Sequence, residues 1–327
     1  MSTQLYPLKF TPILKDKIWG GNKLMSVLSK NGKGESLGES WELSGVEGDV
    51  SVVSNGFLKG NSLDELIEIY MGDVVGDEVY NKFGTEFPLL FKFIDATQDL
   101  SIQVHPNDEL SAERHNAYGK TEMWYVLDAD ANSQLISGFN KESNKEEYLE
   151  ALKSGQLLSL LKSHSVNSGD VFFIPAGNIH AIGAGVLLAE IQQTSDVTYR
   201  IYDYDRKDSE GNLRELHTDL ALEANDYKSS NDKVAYELKV DEAVNLAECP
   251  YFITNIIDVK DSYERDVYLL NSFAVYMCVD GEATIIYDED KTEALVKGET
   301  VLIPASLGDI SIHSKKGAKL LEVYIKK

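Results

Sequence analysis

The stretch Gly169-Asp-Val-Phe-Phe-Ile-Pro175-Ala-Gly177-Asn-Ile-His180 decides the fold that this sequence predicts. Its run of β-branched and aromatic residues, bounded by glycine and proline, predicts a short strand that ends in a tight turn. The turn would deliver His180 to the mouth of a barrel. A single histidine is more often a structural group than a metal ligand, so the interpretation depends on whether other polar strands meet it.

A second strand with a polar face is predicted at Ser101-Ile-Gln-Val-His105. Successive strand residues point to opposite faces, so Ile102 and Val104 would pack while a hydroxyl, an amide and an imidazole share the other face. For this segment alone, an ordinary strand that faces solvent is an equally good interpretation.

A third polar strand is predicted within Gly119-Lys-Thr-Glu-Met-Trp-Tyr125, where Lys120, Glu122 and Trp124 would share one face. A glutamate in an otherwise apolar strand either lies at an edge or pairs with a cation or metal ion, because burying it alone costs too much free energy. Together the three strands would supply His180 with polar neighbours.

Most other segments also predict short strands, because β-branched and aromatic runs alternate with Gly, Asn, Asp and Pro. Helical patterns are fewer: Leu63–Tyr70 follows a capping box formed by Ser62 and Glu65, and Lys145–Leu161 has an apolar stripe interrupted by Gly155. Many short strands with few helices indicate an all-β barrel or sandwich with helical decorations. The predicted strands are Phe87–Ile94, Ser101–His105, Met123–Leu127, Val171–Ile174, Val186–Gln192, Val197–Tyr204, Phe273–Val279 and Thr300–Ile303.

A faint internal repeat suggests two similar halves. Gly169–Pro175 and Gly298–Pro304 share a glycine, an acidic residue, an apolar strand and a proline, although coincidence among such segments is the alternative. Five residues beyond the proline stands His180 in the first copy and Asp309 in the second. We therefore expect one metal site per chain, in the N-terminal half.

The two halves are placed at residues 1–245 and 246–327, with the polar stretch Ala221–Asp241 wrapping between them. The first would be the catalytic metal-binding domain and the second a degenerate copy of it. A chain of 327 residues exceeds what one hydrophobic core usually supports, which favours this division.

The formal net charge of −23 makes nucleic acid and anionic membranes poor partners, because both would repel this chain. A small anionic substrate requires a few cations concentrated at its site. The sequence shows neither a secretory signal nor an apolar run long enough for a membrane helix, so a cytoplasmic protein is expected. We also expect the chain to be a monomer. Cys249 and Cys278 are expected to be buried fillers rather than ligands or nucleophiles.

Taken together, the strings SIQVHPND (101–108), GKTEMWYVL (119–127) and GDVFFIPAGNIHAIG (169–183) closely resemble the type I mannose-6-phosphate isomerases of the cupin superfamily. Further pieces of the resemblance are Ile18–Gly21, Gly38–Glu42, Ala189–Gln192 and Ser195–Asp203. The resemblance implies a mostly β bicupin, built of two cupin-type barrels or jelly rolls with a few decorating helices. It covers most of residues 5–220 and the degenerate copy at the C-terminus.

For the metal site, the resemblance implies that one Zn²⁺ ion per chain is bound by Gln103, His105, Glu122 and His180. Two imidazoles, a carboxylate and an amide oxygen form a borderline-soft set of ligands that suits zinc and tolerates cobalt, iron or manganese.

For the reaction, the resemblance implies interconversion of mannose 6-phosphate and fructose 6-phosphate through an enediol. Ser101, Lys120 and Arg200 would bind the sugar phosphate, and Arg200, Lys120, Asp196 and Glu190 would act in catalysis. We prefer Asp196 and Lys120 as the acid/base pair. Longer family members carry a large helical insertion between the strands of Glu122 and His180, and the connection here is too short to hold it.

Two other functions compete with the isomerase. A non-catalytic sugar-binding or regulatory cupin would need no acid/base groups beside the metal, whereas this chain has four candidates. A metal cupin dioxygenase or decarboxylase usually has three histidines and a glutamate, whereas Gln103 takes the first histidine position here. The remaining histidines, His115, His164, His217 and His313, are interpreted as surface or structural groups, and Trp19 and Trp41 as parts of turns that close the barrel.

Overall fold

The computed structural model describes residues 4–34, 36–207, 210–229 and 231–326. These residues form many short strands and few helices, which confirms the expected mostly β class. The strands are β1 (Leu8–Lys9), β2 (Ile13–Gly21), β3 (Leu37–Leu43), β4 (Leu89–Ala96), β5 (Ile102–Val104), β6 (Glu122–Ala129), β7 (Gln134–Phe139), β8 (Leu161–Ser165), β9 (Val171–Ile174), β10 (His180–Ile182), β11 (Val186–Gln193), β12 (Tyr199–Tyr202), β13 (Lys233–Val234), β14 (Ala243–Glu248), β15 (Ile253–Val259), β16 (Ser262–Asp266), β17 (Ala274–Tyr287), β18 (Lys291–Val296), β19 (Thr300–Ile303), β20 (Asp309–His313) and β21 (Ala318–Tyr324). The helices are α1 (Lys23–Ser26), α2 (Leu63–Tyr70), α3 (Gly72–Val75), α4 (Asp77–Phe83), α5 (Asp108–His115), α6 (Lys145–Lys153) and α7 (Thr218–Ala224).

Local sequence signals predicted the first and last residues of several elements correctly. β9, β19 and α2 have the predicted bounds, and the side chain of Glu65 accepts a hydrogen bond of 2.9 Å from the Ser62 N–H, as a capping box requires. The helix predicted over Lys145–Leu161 is shorter than expected, because α6 ends at Lys153 and Leu161 already belongs to β8. Gly155, with φ of +70°, has the left-handed backbone that ends helices.

The first barrel consists of two antiparallel sheets. One has the strand order β12-β5-β10-β7-β8 and the other the order β13-β9-β6-β11-β4-β3-β2. The short strand β13 comes from the polar stretch Ala221–Asp241, so this stretch supplies an edge strand to the first barrel besides connecting the two halves. Leu135 and Ile182 from one sheet pack with Trp124 and Leu188 from the other in the barrel interior.

The second barrel contains the remaining strands. β1, β19, β17, β21, β15 and β14 follow one another in its main sheet, and β16, β18 and β20 complete it. The two-barrel organisation confirms the expected bicupin fold. The division at residue 245 stays a proposal: β14 spans this position, and β1 at the other end of the chain pairs with β19.

The two barrels pack sheet against sheet, and alternate residues of the central strands serve different cores. In β6, Trp124 points into the first barrel while its neighbour Met123 packs in the core between the barrels. In β17, Tyr276 points into the second barrel and Met277 into the same shared core. Both faces of β6 and of the first six residues of β17 are therefore mostly buried, which explains the almost continuous apolar sequence there.

Helices cover the outer face of the five-stranded sheet. Ile102 and Val104 of β5 are fully buried there, in a cluster that includes Tyr148 of α6 and Ala221 of α7. The packing face of β5 predicted from its alternation is thus confirmed. None of the described helices is long and apolar enough to cross a bilayer.

The second barrel repeats the strand pairing of the first. Glu190 in β11 is paired with Trp124 of β6 and accepts a hydrogen bond of 2.8 Å from its indole N–H. Glu322 in β21 is likewise paired with Tyr276 of β17 and accepts a hydrogen bond of 2.8 Å from its hydroxyl. The faint sequence repeat therefore corresponds to a repeat in three dimensions.

The interior of the second barrel holds an ion pair. The guanidinium of Arg265 donates to both oxygens of Glu322, at 2.7 and 2.6 Å, and Asn255 donates to the same carboxylate at 2.8 Å. Asp309 follows its proline by five residues, as His180 does in the first copy of the motif. It is exposed, whereas the next residue, Ile310, is buried. The second copy of the motif thus turns an apolar side chain inward.

We expect removal of the guanidinium to destabilise the second barrel. Arg265→Leu leaves the fully buried carboxylate of Glu322 without its cation, and breaking a buried pair in this way typically costs about 3–5 kcal/mol. Urea unfolding should show this loss, and the double variant Arg265→Leu/Glu322→Leu should recover part of it. Lys316→Ala, which removes an exposed pair with Glu282, is the control and should change the unfolding free energy by less than about 1 kcal/mol. An unchanged midpoint for Arg265→Leu would contradict the prediction.

Candidate metal centre

Strand register brings four polar side chains into one row across the five-stranded sheet. Arg200 of β12 is paired with Gln103 of β5, Gln103 with His180 of β10, and His180 with Ser137 of β7. Residues paired directly across antiparallel strands project from the same face of a sheet. The row therefore lies on the face opposite to Ile102 and Val104.

The seven-stranded sheet supplies a second row. Trp124 of β6 is paired with Glu190 of β11, and Glu190 with Lys92 of β4. Glu122 lies two residues before Trp124 on the same strand face. The imidazole of His180 packs edge-on against the indole of Trp124, with ring centroids 5.4 Å apart, so the two rows meet in the barrel.

Two histidines and a glutamate converge where the rows meet. Nε2 of His105 lies 3.6 Å from one carboxylate oxygen of Glu122, and Nε2 of His180 lies 3.4 Å from the other. All three residues are buried, and their ligand atoms lie within 4.8 Å of one another. Among the described residues, this is the one group of three or more such side chains that could share a metal ion.

The chain itself fixes the orientation of both imidazoles. Nδ1 of His105 lies 2.9 Å from the carbonyl oxygen of Val197, and Nδ1 of His180 lies 2.8 Å from that of Asn178. A carbonyl oxygen accepts only from a protonated nitrogen, so Nε2 carries the free lone pair in each neutral ring. Metal-binding histidines are commonly held in this way.

Burial keeps these imidazoles neutral. It lowers the pKa of His105 well below its ordinary value, and the charge of Lys120 adds to this effect. It lowers the pKa of His180 to about 4. Only neutral imidazole can bind a metal ion, so both rings are in the ligand form at neutral pH.

Glu122 is the part of the cluster that most needs a cation. It is fully buried, and no described group donates a well-directed hydrogen bond to either of its oxygens. Burial, together with the charge of Glu190, raises its pKa to about 7. A second cation beside this carboxylate would offset that cost, so the donor set fits a divalent metal ion.

The ammonium of Lys120 contacts two members of the cluster. Its Nζ lies 2.9 Å from Glu122 and 3.1 Å from Nε2 of His105. Burial opposes its charge, but the carboxylates of Glu122 and Glu190 outweigh burial and raise the pKa of Lys120. Proton release from Lys120 near neutrality would therefore require additional positive charge close by.

Gln103 and Ser101 lie at the edge of the cluster. The amide nitrogen of Gln103 is 3.3 Å from Nε2 of His180, and the hydroxyl of Ser101 is 3.4 Å from the amide oxygen of Gln103. A half-turn of the amide would present its oxygen to the cluster instead, which is the orientation that a metal ligand requires.

Glu190 lies deeper in the barrel and is already paired. Its carboxylate is 3.2 Å from Nζ of Lys92 and accepts from Trp124. Burial opposes ionisation, but the charges of Lys92 and Lys120 outweigh it and lower the pKa of Glu190 to about 2. Glu190 is thus a carboxylate throughout the neutral pH range.

Arg200 is half-buried beside Gln103 and belongs to a local concentration of positive charge. Its guanidinium donates to the carbonyl of Glu215 at 2.9 Å, while its Nε is buried without a hydrogen-bond partner among the described residues. Burial and the charge of Arg214 lower its pKa, although a guanidinium stays protonated at neutral pH. Arg206 and Arg214 both pair with Asp203.

Asp196 differs from the buried residues of the cluster in its exposure to solvent. It is exposed and lines a cleft of about 1000 Å³ between the first barrel and Tyr251. Among the described residues, no hydrogen bond or ion pair joins Asp196 to Lys120. The charge of Asp196 nevertheless contributes to the raised pKa of Lys120. The pairing of these two residues in catalysis stays a prediction.

Lys92, the partner of Glu190, is a site residue that none of the sequence motifs selected. A signal was present, since Lys92 stands in the middle of β4, whose residues are all buried. A buried charge needs a partner, and this requirement points to Lys92 for the same reason that it points to Glu122. Its partner depends on the register between β4 and β11, which the sequence does not show.

The four remaining histidines lie outside the cluster, as expected. His115 is exposed and contacts the hydroxyl of Tyr199 at 2.8 Å, and His217 accepts from the main-chain N–H of Arg200 at 3.1 Å. His164 packs against Phe172. Of the two free cysteines, Cys278 is buried and Cys249 only half-buried, so full burial was wrong for Cys249.

Two antiparallel barrels, of which the first holds a buried His–Glu–His cluster, define an enzyme-type bicupin with a candidate metal centre. Residues 7–136 match the family described as phosphomannose isomerase type I, catalytic domain, and residues 242–324 match the mannose-6-phosphate isomerase cupin domain. The chain belongs to the type I phosphomannose isomerase family, which confirms the resemblance and the predicted enzyme class, an isomerase.

Similar proteins support this assignment over nearly the whole length. The chain is 37% identical to the mannose-6-phosphate isomerase ManA of Bacillus subtilis, covering 94% of this chain and 96% of that protein. It is 35% identical to the mannose-6-phosphate isomerase of Streptococcus mutans, with the same 94% and 96% coverage. A crystal structure of the mannose 6-phosphate isomerase from Bacillus subtilis matches 98% of this chain and 100% of that chain, at 34% identity and a TM-score of 0.88.

We predict that Glu122→Gln and His180→Ala each weaken metal binding at least tenfold, because each removes a candidate ligand or its charge from the cluster. Metal analysis after dialysis should find one ion per chain in the parent and much less in the variants. His313→Ala, which removes a histidine of the second barrel, is the control and should keep the parental ion. Full occupancy in either cluster variant, or two tightly bound ions in the parent, would contradict the assignment.

Proposed function

We propose that the chain interconverts mannose 6-phosphate and fructose 6-phosphate with one zinc ion held by Gln103, His105, Glu122 and His180. The observation that carries the proposal is the fully buried carboxylate of Glu122, faced by two oriented neutral imidazoles, in a member of an isomerase family. Nitrogen and oxygen ligands of this kind suit zinc. Relatives named as mannose-6-phosphate isomerases support the substrate.

The proposed reaction moves a proton between C2 and C1 of the open-chain sugar through an enediol. A bound divalent ion would polarise the sugar carbonyl and stabilise negative charge on its oxygens. The residues of the chain must supply the proton transfers, for which Lys120 and Asp196 are proposed as the acid/base pair. Lys120 is suited by its place, since its ammonium already contacts two of the proposed ligands.

Glu190 is proposed to act through its charge. It stays ionised, and after Glu122 it is the second carboxylate whose negative charge raises the pKa of Lys120, so it contributes to the strength of the acid that would return a proton to the sugar. Lys92 and Trp124 hold the carboxylate in place from two neighbouring strands.

The phosphate group is proposed to bind near Arg200 and Ser101. Arg200 shares the row of Gln103 and His180, so a sugar phosphate at the cluster could reach its guanidinium. Asp203 neutralises part of the charge of Arg206 and Arg214, which leaves net positive charge around Arg200. This local positive potential would attract the phosphate although the whole chain has a net charge of −23.

The remaining proposals concern the setting of the enzyme. The acidic net charge supports the absence of nucleic-acid partners. That the chain acts as a monomer in the cytoplasm stays a prediction.

The function is tested by turnover of mannose 6-phosphate with and without a chelator. We expect fructose 6-phosphate to form, activity to be lost on chelation, and zinc to restore it. In deuterated water the product carbon that receives the proton should carry solvent deuterium, partly diluted if the site excludes water. Activity that survives complete metal removal would contradict the metal role, and the absence of deuterium under all conditions would replace the enediol with a hydride shift.

Arg200→Lys is expected to fold normally and to lose at least tenfold in kcat/KM. Lysine keeps the positive charge but lacks the planar fork that holds two phosphate oxygens at once. Steady-state kinetics on mannose 6-phosphate measure the effect. Arg114→Lys, at a partly exposed pair with Glu223 outside the cluster, is the control and should match the parent. Parental kinetics for Arg200→Lys would remove Arg200 from the phosphate site.

A further inference from the structure

His180 reaches the cluster from the turn that links β9 to β10. Its Nδ1 lies 2.8 Å from the carbonyl oxygen of Asn178, two residues earlier, and this contact directs its Nε2 toward Glu122. The direction of the imidazole therefore depends on where the main chain of Asn178 is held. A shift of this turn would move the lone pair of the proposed ligand.

The side chain of Asn178 is held by a carboxylate from a distant part of the chain. Its amide donates to Oδ2 of Asp232 at 2.9 Å and to the hydroxyl of Ser137 at 3.0 Å. The Ser137 hydroxyl in turn donates to the same oxygen of Asp232, at 2.6 Å. Ser137 is also the strand partner of His180, so the three side chains join the turn to the sheet that carries the ligand.

Asp232 is itself positioned by main-chain contacts. Its carbonyl accepts a hydrogen bond of 2.9 Å from the N–H of Phe173 in β9, and the next residue, Lys233, is paired with Phe172. Further along the same segment, the N–H of Asp226 donates to the carbonyl of Gly177 at 2.8 Å. The segment is thus attached both to the strand before the turn and to the turn itself.

A carboxylate suits this position for a chemical reason. Two donors converge on one oxygen, and an ionised carboxylate accepts several hydrogen bonds while offering no competing donor. Hydrogen bonds to a charged acceptor are shorter and stronger than neutral ones. Asp232 is 7% exposed and Asn178 6% exposed, so water contributes little to holding the turn.

We propose that Asp232 is a positioning residue for the metal ligand His180, acting through Asn178 and Ser137. The polar stretch that crosses from one barrel to the other would then set the affinity of the metal site as well as connecting the domains. Loss of an outer partner of a metal ligand typically weakens metal binding about 10–100-fold. The inference rests on the metal site proposed above.

The test is the metal affinity of folded Asp232 variants. Metal-stripped protein is titrated with Co²⁺ by visible absorption and with Zn²⁺ in competition with a chromogenic chelator. Asp232→Ala should weaken both affinities about 10–100-fold and shift the Co²⁺ bands, because the imidazole is no longer held in one direction. Asp232→Asn, which keeps an oxygen at this position, should recover most of the affinity.

Lys233→Ala is the matched control, because it removes a neighbouring side chain whose ammonium pairs with Asp170, 2.7 Å away, rather than with the turn. It should bind metal as the parent does. Parental affinity and bands in folded Asp232→Ala would overturn the inference. If that variant does not fold, Asn178→Ala decides in the same way, since it removes the amide that Asp232 holds. A parent that binds neither ion would instead overturn the proposed metal site.

Discussion

The carboxylate of Glu122 lies in a fully buried position, where its charge is tolerated only if cations and polar groups surround it. Much of the first barrel is arranged around this requirement. Lys120 lies two residues before the strand of Glu122, His105 directly follows β5 of the opposite sheet, and His180 begins β10 of that sheet. The neighbouring carboxylate of Glu190 is neutralised by Lys92. These groups lie in strands or within two residues of a strand end, so sheet geometry largely sets their separation and leaves little freedom for the cluster to relax.

The rest of the fold shields the outer faces of both sheets of the first barrel from solvent. Helices cover the outer face of the five-stranded sheet, and the second barrel covers the outer face of the other sheet. Each central strand therefore packs on both faces, with polar chemistry confined to a few inward positions. Low exposure raises the pKa of Glu122 and lowers those of the histidines, which together favour binding of a cation by neutral imidazoles.

The second barrel shows what the same architecture does without the two buried histidines of the first barrel. Glu322 occupies the strand position that corresponds to Glu190. It accepts its hydrogen bond from a tyrosine hydroxyl, where Glu190 accepts one from an indole N–H. Arg265 neutralises Glu322 from within the barrel, so its charge is already satisfied by protein groups. In the first barrel, Glu122 and Glu190 share the interior with Lys92, Lys120 and two imidazoles, and the carboxylate of Glu122 receives no well-directed hydrogen bond from the described residues.

The sequence by itself determined the strand class, the bounds of β9, β19 and α2, and which residues of β5 and β6 share a face, because these depend on alternation and turn residues that are close in sequence. Its motifs also selected the residues of the cluster, and the family resemblance gave them roles that remain proposals. The tertiary structure alone decided that Lys92 pairs with Glu190, that Ile310 rather than Asp309 faces inward, and that Asp232 lies beneath the turn before His180. Each of these depends on the register between strands or on a crossing segment far away in sequence. Such pairings are set by the burial of whole sheet faces against each other, and no local pattern of residues encodes them.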